Sequence, residues 1–517
     1  MTNKPNVNIS IQGEAIPTIS GRRDLIVGSL PSSNPNAGNL VEKVNLKTED
    51  EIDAIFGANS DVRNRIIKYF DTNNRNSELD VQVLEENTYS DPAVGSIAFA
   101  GTATADGSYK IALIDKKQFF KTIDVKKDET ALDVATKVAN AFKEVNFPRI
   151  PIISELDGSS AKFTARDKGK VGNYYGIELF GAVAGLTVTL NKFQNGTEVP
   201  NYTADMFPPK RYFGIAIPQY YRDLISVFAG VLKTRFNTEN DIKDGVGFIG
   251  FEDRLSTCLS FANGLNDFII PMGNNVVPSP YPIMNTKQTG ASILTPADWY
   301  VCEFIGIRSI RLEADAPISE FVSANNKDSF GGIALASLPY HNTPLNVSVT
   351  PANLLFNNTE KKQLEDAGFS VVEPNLSESG MLTGSLVSTY KKNSLGLPDK
   401  TFKYLNYIDT GSVCREYMYF NMKSDLAQSR LTEGEIIPDR NMQNAESIRG
   451  LVMNYYASLA KEALVQKGGA IASKVSSDMV ISLDLANRTV EIIAKTFPIV
   501  TQIGTVNFAF TMKFSTL

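Results

Sequence analysis

The chain offers little with which to build a reactive centre. It holds one histidine, His341, within Leu338-Pro339-Tyr340-His341-Asn342. Imidazole is the side chain most often used as a general base or a metal ligand, and a single one beside a proline reads as structural. A GxSxG nucleophile elbow, an HExxH zinc pair and a Walker phosphate loop are all missing. One phosphate-cradling pattern is present, since Gly245-Val246-Gly247-Phe248-Ile249-Gly250 fits GxGxxG. A dinucleotide site needs a strand ahead of these glycines and a helix opening on them. Here Asn237-Thr238-Glu239-Asn240-Asp241 precedes them, and Val246, Phe248 and Ile249 read as the strand itself. A nucleotide-using α/β enzyme built on Gly245, Gly247 and Gly250 is therefore the lesser alternative. Carboxylates are plentiful, but no pair stands out from surface charge, so pattern lends no support to an Asp/Glu mechanism.

The three cysteines, Cys258, Cys302 and Cys414, are far apart and include no CxxC pair. They read as buried small hydrophobes suited to a reducing compartment, not as a disulfide framework or a zinc site. No cofactor or metal is expected. Net charge is -6, with acid and base mixed along the chain. A nucleic-acid binder usually shows a basic face or tail, so no nucleic-acid partner is expected. The first residues, MTNKPNVNIS, lack the basic and apolar regions of a signal peptide. No apolar run approaches the ~20 residues that span a bilayer, which points to a soluble chain without a membrane partner.

What must position these residues is an α/β framework. With 517 residues the chain suggests about three domains. Asp24-Leu25-Ile26-Val27-Gly28 reads as a strand. A helix follows Ser60 or Asp61, with Val62, Ile66 and Phe70 at helical spacing, and Leu79, Val81 and Val83 then alternate. From Pro92 to about Pro200 the pattern turns β-rich. Asp106-Gly107 suggests a hairpin between 97–104 and 109–114. One helix interrupts, with Leu132, Ala135, Val138, Ala139 and Phe142 on one face, and strands follow at 162–165, 176–180 and 186–190. This block reads as an inserted α+β domain.

After Pro200 strands and helices alternate again. Strands are expected at 213–217, 246–251 and 268–271, and helices at 220–233, 252–262, after Thr295-Pro296, and at 360–367 before Gly368. Alternation of this kind implies a mainly parallel, covered sheet. Ile448, Leu451, Val452, Tyr455, Leu459 and Ala463 then form one face of a helix that Gly468-Gly469 is expected to end. Strands at 479–485 and 488–495 follow.

Both chain ends carry period-two alternation. Val7, Ile9 and Ile11 alternate with polar residues near the start, and Val506, Phe508, Phe510, Met512 and Phe514 do so near the finish. Burying five large apolar side chains gains about 1.5–3 kcal/mol each. Ordering ten backbone residues costs about 1–2 kcal/mol each. Such ends are close to neutral unless a partner edge is already built. They either complete the chain's own sheets or add to a neighbour's exposed edge.

Several phrases, in order, resemble the Mu-type contractile tail sheath family. They begin with Phe56-Gly57, Ser60, Arg63, Phe70, Asn74 and Glu78-Leu79. The inserted block adds Gly101-Thr102-Ala103-Thr104-Ala105-Asp106-Gly107, Thr164-Ala165-Arg166-Asp167-Lys168-Gly169-Lys170-Val171-Gly172-Asn173 and Gly185-Leu186-Thr187-Val188-Thr189. Ser388-Thr389-Tyr390, Asn393, Gly396, Asp399 and the stretch from Tyr404 to Thr410 continue the series. The likeness runs over most of the chain from about residue 50. It departs at Cys414-Arg415-Glu416-Tyr417, and at Leu431-Thr432-Glu433-Gly434-Glu435, where the family has a basic segment.

The resemblance implies an α/β core with a mainly parallel sheet, of the fold called subtilisin-like, without protease activity. It implies a β-rich α+β inserted domain facing outward and extended terminal β arms that pair with neighbouring subunits. The expected divisions are an arm over 1–22, core over 23–91 and 199–400, the insert over 92–198, a tube-proximal part over 401–500 and an arm over 501–517. Implied partners are further copies in stacked hexameric rings, a tail tube protein, and baseplate and tail terminator proteins. The setting is a virion tail assembled in the bacterial host cytoplasm, or a phage-derived bacterial injection particle. Arg449, Lys461 and Lys467, on and just after the 447–464 helix, are candidates to face the tube, or are solvated charges on a core helix.

Overall fold

The computed structural model describes residues 22–500, except 74, 76, 116, 237–242, 252, 254, 275–294, 313–339, 347–355, 375–380, 394, 439, 487 and 495–496. Both terminal segments, with Val7, Ile9, Ile11, Val506, Phe508, Phe510, Met512 and Phe514, lie outside the described residues. The described chain forms two compact units that divide after Leu405.

The first unit is organised by a nine-stranded sheet. Its strands are β1 (Arg23–Leu30), β2 (Leu40–Val41) and β3 (Glu78–Glu85), then β11 (Gly214–Ile217), β12 (Val246–Phe251) and β13 (Ile269–Asn274), then β14 (Pro344–Leu345), β15 (Ser370–Pro374) and β16 (Met381–Thr383). Their order is β14-β16-β15-β13-β12-β11-β1-β3-β2. The pairs from β15 through to β3 are parallel, and β2, β16 and β14 add antiparallel edges. β1, β3 and β12 are buried along nearly their whole length. That is why they read as unbroken apolar runs instead of alternating ones.

Helices α1 (Glu49–Phe56) and α2 (Asp61–Asn73) connect β2 to β3. Sequence reading passed over α1, although Thr48 and Glu51 close a capping box on it. α2 starts as expected, with Ser60 Oγ accepting from Arg63 N at 3.1 Å. Later come α4 (Ile225–Phe236), α5 (Leu255–Asn263), α6 (Ala297–Leu312) and α7 (Asn358–Ala367), the last closed by Gly368 at φ 91°. α2 and α6 pack together and onto β1.

Residues 92–198 carry two smaller antiparallel sheets. The strands are β4 (Pro92–Gly101), β5 (Gly107–Leu113), β6 (Phe120–Val125), β7 (Ile152–Asp157), β8 (Ser160–Lys168), β9 (Ile177–Phe180) and β10 (Leu186–Gln194), with α3 (Ala131–Ala141) among them. One sheet runs β10-β4-β8-β7 and the other β6-β5-β9. The hairpin expected at Asp106-Gly107 does not form. Both edges of β4 are taken by β8 and β10, and both edges of β5 by β6 and β9, so the chain passes from one sheet to the other there. On α3 the buried face is Ala131, Val134, Ala135, Val138 and Ala139, continued by Phe142. Leu132, expected on that face, points to solvent.

The second unit opens with α8 (Leu405–Leu426), a helix that sequence reading did not separate from its surroundings. β17 (Arg430–Leu431) and β18 (Met442–Gln443) pin a loop between them. α9 (Ala445–Lys461), α10 (Gly469–Asp478) and the antiparallel hairpin β19 (Met479–Asp484) with β20 (Thr489–Ala494) complete it. α9 buries Ile448, Val452, Tyr456 and Leu459. It ends at Lys461 and not at Gly468-Gly469. Ala463 adopts φ 57° and Leu464 N bonds back to Leu459 O, which stops the helix; Gly468 instead precedes α10.

Candidate functional site

The GxGxxG glycines lie at and within β12, and each is filled by the protein itself. A Cβ at Gly245 would stand 2.0 Å from Tyr212 O, and one at Gly250 would stand 2.6 Å from Ala297. At Gly247 it would meet Ile269 and Ile217 side chains at 2.7 and 2.9 Å. These glycines serve close strand–strand and strand–helix packing. No helix opens on them, and a pyrophosphate would have no room against their backbone.

The densest chemistry is a buried charge cluster where α2 and α6 meet the sheet. Arg65 is wholly buried and donates through Nη1 to Val27 O at 2.6 Å and through Nη2 to Ala216 O at 3.4 Å. Asp61 Oδ1 accepts from Trp299 Nε1 at 2.8 Å. Asp298 accepts from Gln219 N at 3.0 Å, and Asp24 accepts from Tyr69 OH and Gly214 N, each at 2.8 Å. Burial pushes Asp298 up to about 7, with Arg65 opposing the rise. Burial likewise pushes Asp24 up to about 6 against the Arg308 charge.

A second group joins this cluster to residues 92–198. Asp167 on β8 lends Oδ2 to Asp61 N at 2.8 Å. Burial, reinforced by the charges of Glu86 and Asp61, holds Asp167 well above the usual carboxylate range. Burial pushes Glu86 up to about 7. Raised carboxyls also mark many active sites. Here, however, Asp24, Asp61, Asp167 and Asp298 accept from backbone groups and fixed neighbours, both Glu86 oxygens are buried without a hydrogen-bond partner among the described residues, and α2 packs closely on β1. A Cβ on Gly28 would meet Val62 Cγ2 at 2.1 Å. The cluster fastens elements together, and sequence spacing could not have found it, because Asp61 and Trp299 are 238 positions apart.

The remaining reactive types are dispersed. His341 sits exposed in a turn. The three thiols are buried, and burial pushes each up to about 12, so none is a poised nucleophile. Among the described residues no group of His, Cys, Asp and Glu has the arrangement of a metal site. No described helix is long and apolar enough to cross a membrane. An open groove runs between α3 and β7, lined by Lys143, Val145, Ile153, Leu156 and Arg166 among others.

The three basic residues singled out in sequence differ in setting. Arg449 is half-buried and donates to Ser476 O and, at 3.0 Å, to Met479 O, which satisfies carbonyls at the end of α10. Lys461 and Lys467 are exposed and lack an ion-pair partner among the described residues. Sequence reading missed two exposed apolar pairs, Leu395 with Leu397 and Ile436 with Ile437. The turn residues Asn393, Gly396 and Pro398 around the first pair were the available signal.

An α/β framework whose charges are locked inside is what a building block would have, and similarity to a known structural protein points the same way. Over most of its length the chain is similar to a tail sheath protein of a Mu-like prophage. It is 22% identical over 454 residues to the Mu-like prophage FluMu tail sheath protein of Haemophilus influenzae, covering 86% of this chain and 83% of that one. The sheath tail protein Lin1278 from Listeria innocua aligns over 93% of this chain and 94% of that chain at 12% identity, with a TM-score of 0.43. No protein-family model matches the chain.

Proposed function

We propose that this chain is the structural subunit of a contractile tail sheath, polymerising as stacked hexameric rings around a tail tube and contracting to drive the tube through the host envelope. The similarity to a tail sheath protein across 86% of the chain supports the class. The observation that carries assembly is the β19–β20 hairpin. It is a sheet of only two strands, with no third strand on either side among the described residues. Val490, Ile492 and Ala494 on one face are buried, whereas Val480 is exposed. Two-stranded sheets are marginal alone and their edges recruit strands.

The segments 1–22 and 501–517 have the alternation such edges accept. In this reading Val7, Ile9, Ile11, Val506, Phe508, Phe510, Met512 and Phe514 form the mesh between copies, which holds while the bodies move. Residues 23–91 and 199–400 supply the parallel-sheet body, 92–198 the outer domain and 401–500 the tube-proximal part. Of the tube-facing candidates, Lys461 at the end of α9 and Lys467 just before α10 are exposed, lack an ion-pair partner among the described residues and would offer ammonium groups to the tube protein, while Arg449 ties α9 to the end of α10. Baseplate and tail terminator proteins bound the polymer.

Deleting residues 505–517 tests the reading. The truncated subunit is expected to stay soluble and folded by circular dichroism, and to form no tubes by negative-stain microscopy. Normal tubes from it would overturn the arm mechanism.

A further inference from the structure

Two surface loops present apolar tips on rigid bases, with opposite charge. The first surrounds Gly396 in the first unit. Its base is bolted down: Lys391 Nζ donates to Ala262 O at 2.7 Å and Ala367 O at 3.2 Å, at the ends of α5 and α7. Asn266 Oδ1 accepts from Lys391 N and Lys392 N at 2.7 and 2.8 Å. Tyr390 OH bonds Asp399 Oδ2 at 2.8 Å, and the Tyr390 ring packs edge-on against Phe402. The tip is tightened by Asn393, whose Oδ1 accepts from Leu395 N and Leu397 N at 3.0 and 3.1 Å, and by Gly396 at φ 74°. This turn holds Leu395 and Leu397 each 57% exposed. Lys392 and Lys400 flank them, exposed and without an ion-pair partner among the described residues.

The second loop lies in the second unit between β17 and β18. Thr432 N bonds Gln443 O at 2.9 Å, Gly434 N bonds Thr432 Oγ1 at 3.0 Å, and Asn444 Nδ2 bonds Gly434 O at 3.2 Å. On it Ile436 and Ile437 are 38% and 58% exposed. Glu433 and Glu435 precede them, exposed and without a cationic partner among the described residues.

A loop that is hydrogen-bonded throughout at its base and still displays two large aliphatic side chains has its ordering cost met before any partner arrives. Two adjoining aliphatic side chains held out on a fixed turn give a partner a preformed apolar contact. The flanking charges select the partner: the lysine-rimmed leucine tip matches the Glu433–Glu435 side of the isoleucine tip, turned away from the exposed Arg440 at the far end of the loop. We propose that the Leu395–Leu397 tip of one copy docks on the Glu433–Ile437 loop of another. Because the two surfaces differ, the contact is heterologous and propagates from copy to copy, as a helical polymer requires. It rests on the polymerising reading above, but adds a contact that does not use the chain ends.

The test uses the full chain. Cysteine is placed singly by Leu397→Cys in one preparation and Ile437→Cys in another; the three native thiols are buried. On mixing under assembly conditions with a mild oxidant, a disulfide-linked dimer of the two variants is expected, and neither variant alone should match its yield. Independently, Lys392→Glu with Lys400→Glu is expected to raise the half-assembly concentration at least about tenfold. Glu433→Lys with Glu435→Lys should do the same, and an equimolar mixture of the two charge-reversed proteins should regain most of the lost assembly, because each variant's tip then meets a loop of opposite charge on the other. The quadruple reversal within one chain should bring the concentration back to near wild type. Wild-type-like assembly by the charge-reversed proteins, or failure of the quadruple reversal to restore it in a folded protein, would overturn the docking. A wild-type chain that forms no tubes under any condition would instead remove the sheath reading itself.

Discussion

Oδ2 of Asp167 accepts the backbone N–H of Asp61 at 2.8 Å, so a side chain on β8 caps the first turn of α2, 106 positions away in sequence. A cap supplied from a distant strand couples two parts of the first unit through one carboxyl group. Trp299 holds the Asp61 side chain from the other direction.

Replacement of Asp167 should separate its hydrogen bond from its charge. Asp167→Ala leaves the Asp61 N–H buried without an acceptor and is expected to cost about 1–3 kcal/mol. Asp167→Asn keeps an acceptor oxygen and is already neutral, as the raised pKa of Asp167 favours. It should lose less than half as much. Urea denaturation of both variants at neutral pH gives the comparison.

Stability should also fall as pH rises from mildly acidic values to neutrality. Burial raises Glu86 to about 7 and lifts Asp167 well above its usual range. A carboxyl whose folded pKa exceeds its unfolded value stabilises the fold fully below the unfolded pKa, and that contribution disappears as pH rises through the folded pKa. For Glu86 the window runs from about 4 up to about 7. The melting temperature should therefore decline between about pH 4.5 and pH 7.5, and Glu86→Gln should flatten that decline. An unchanged slope in the glutamine variant would place the titration elsewhere.

These groups also show where sequence was readable. β1, β3 and β12 were legible because doubly buried strands are continuous apolar runs. The mixed α/β content followed from their alternation with helices. α8 was not legible: it buries Ile408, Cys414, Met418 and Met422 but also Asn406, Asp409 and Thr410, so no apolar stripe marks one face. The end of α9 was misread because Leu464 and Val465 extend its apolar character past the turn at Ala463. The Asp106-Gly107 hairpin failed because turn chemistry reports a local reversal and says nothing of whether the flanking strands' edges are free. The charge cluster could not be seen at all, since its members meet only through tertiary packing.

Gly245→Ala separates packing from ligand binding at the GxGxxG pattern. Its Cβ would press on the Tyr212 carbonyl, a backbone atom that cannot move aside cheaply. The variant is expected to lose about 1–3 kcal/mol, as overpacked sites do. The wild-type chain should meanwhile show no saturable thermal shift with a panel of nicotinamide, flavin and adenine nucleotides. A reproducible shift with one of them, lost in the variant, would revive the nucleotide reading.

The three basic residues near α9 should divide in the same way. Arg449→Ala strips donors from the Ser476 and Met479 carbonyls, where α10 ends, and is expected to cost about 1–3 kcal/mol in the isolated subunit. Lys461→Ala and Lys467→Ala remove exposed charges and should stay within about 0.5 kcal/mol of wild type. If the two lysines meet the tube, their double alanine variant will fold normally and form tubes when assembled alone, yet bind purified tail tube more weakly and with a shallower salt dependence. Sedimentation with tubes across a salt series measures both. Equal binding by wild type and the double variant would leave the lysines as solvated charges and move the tube contact elsewhere on the second unit.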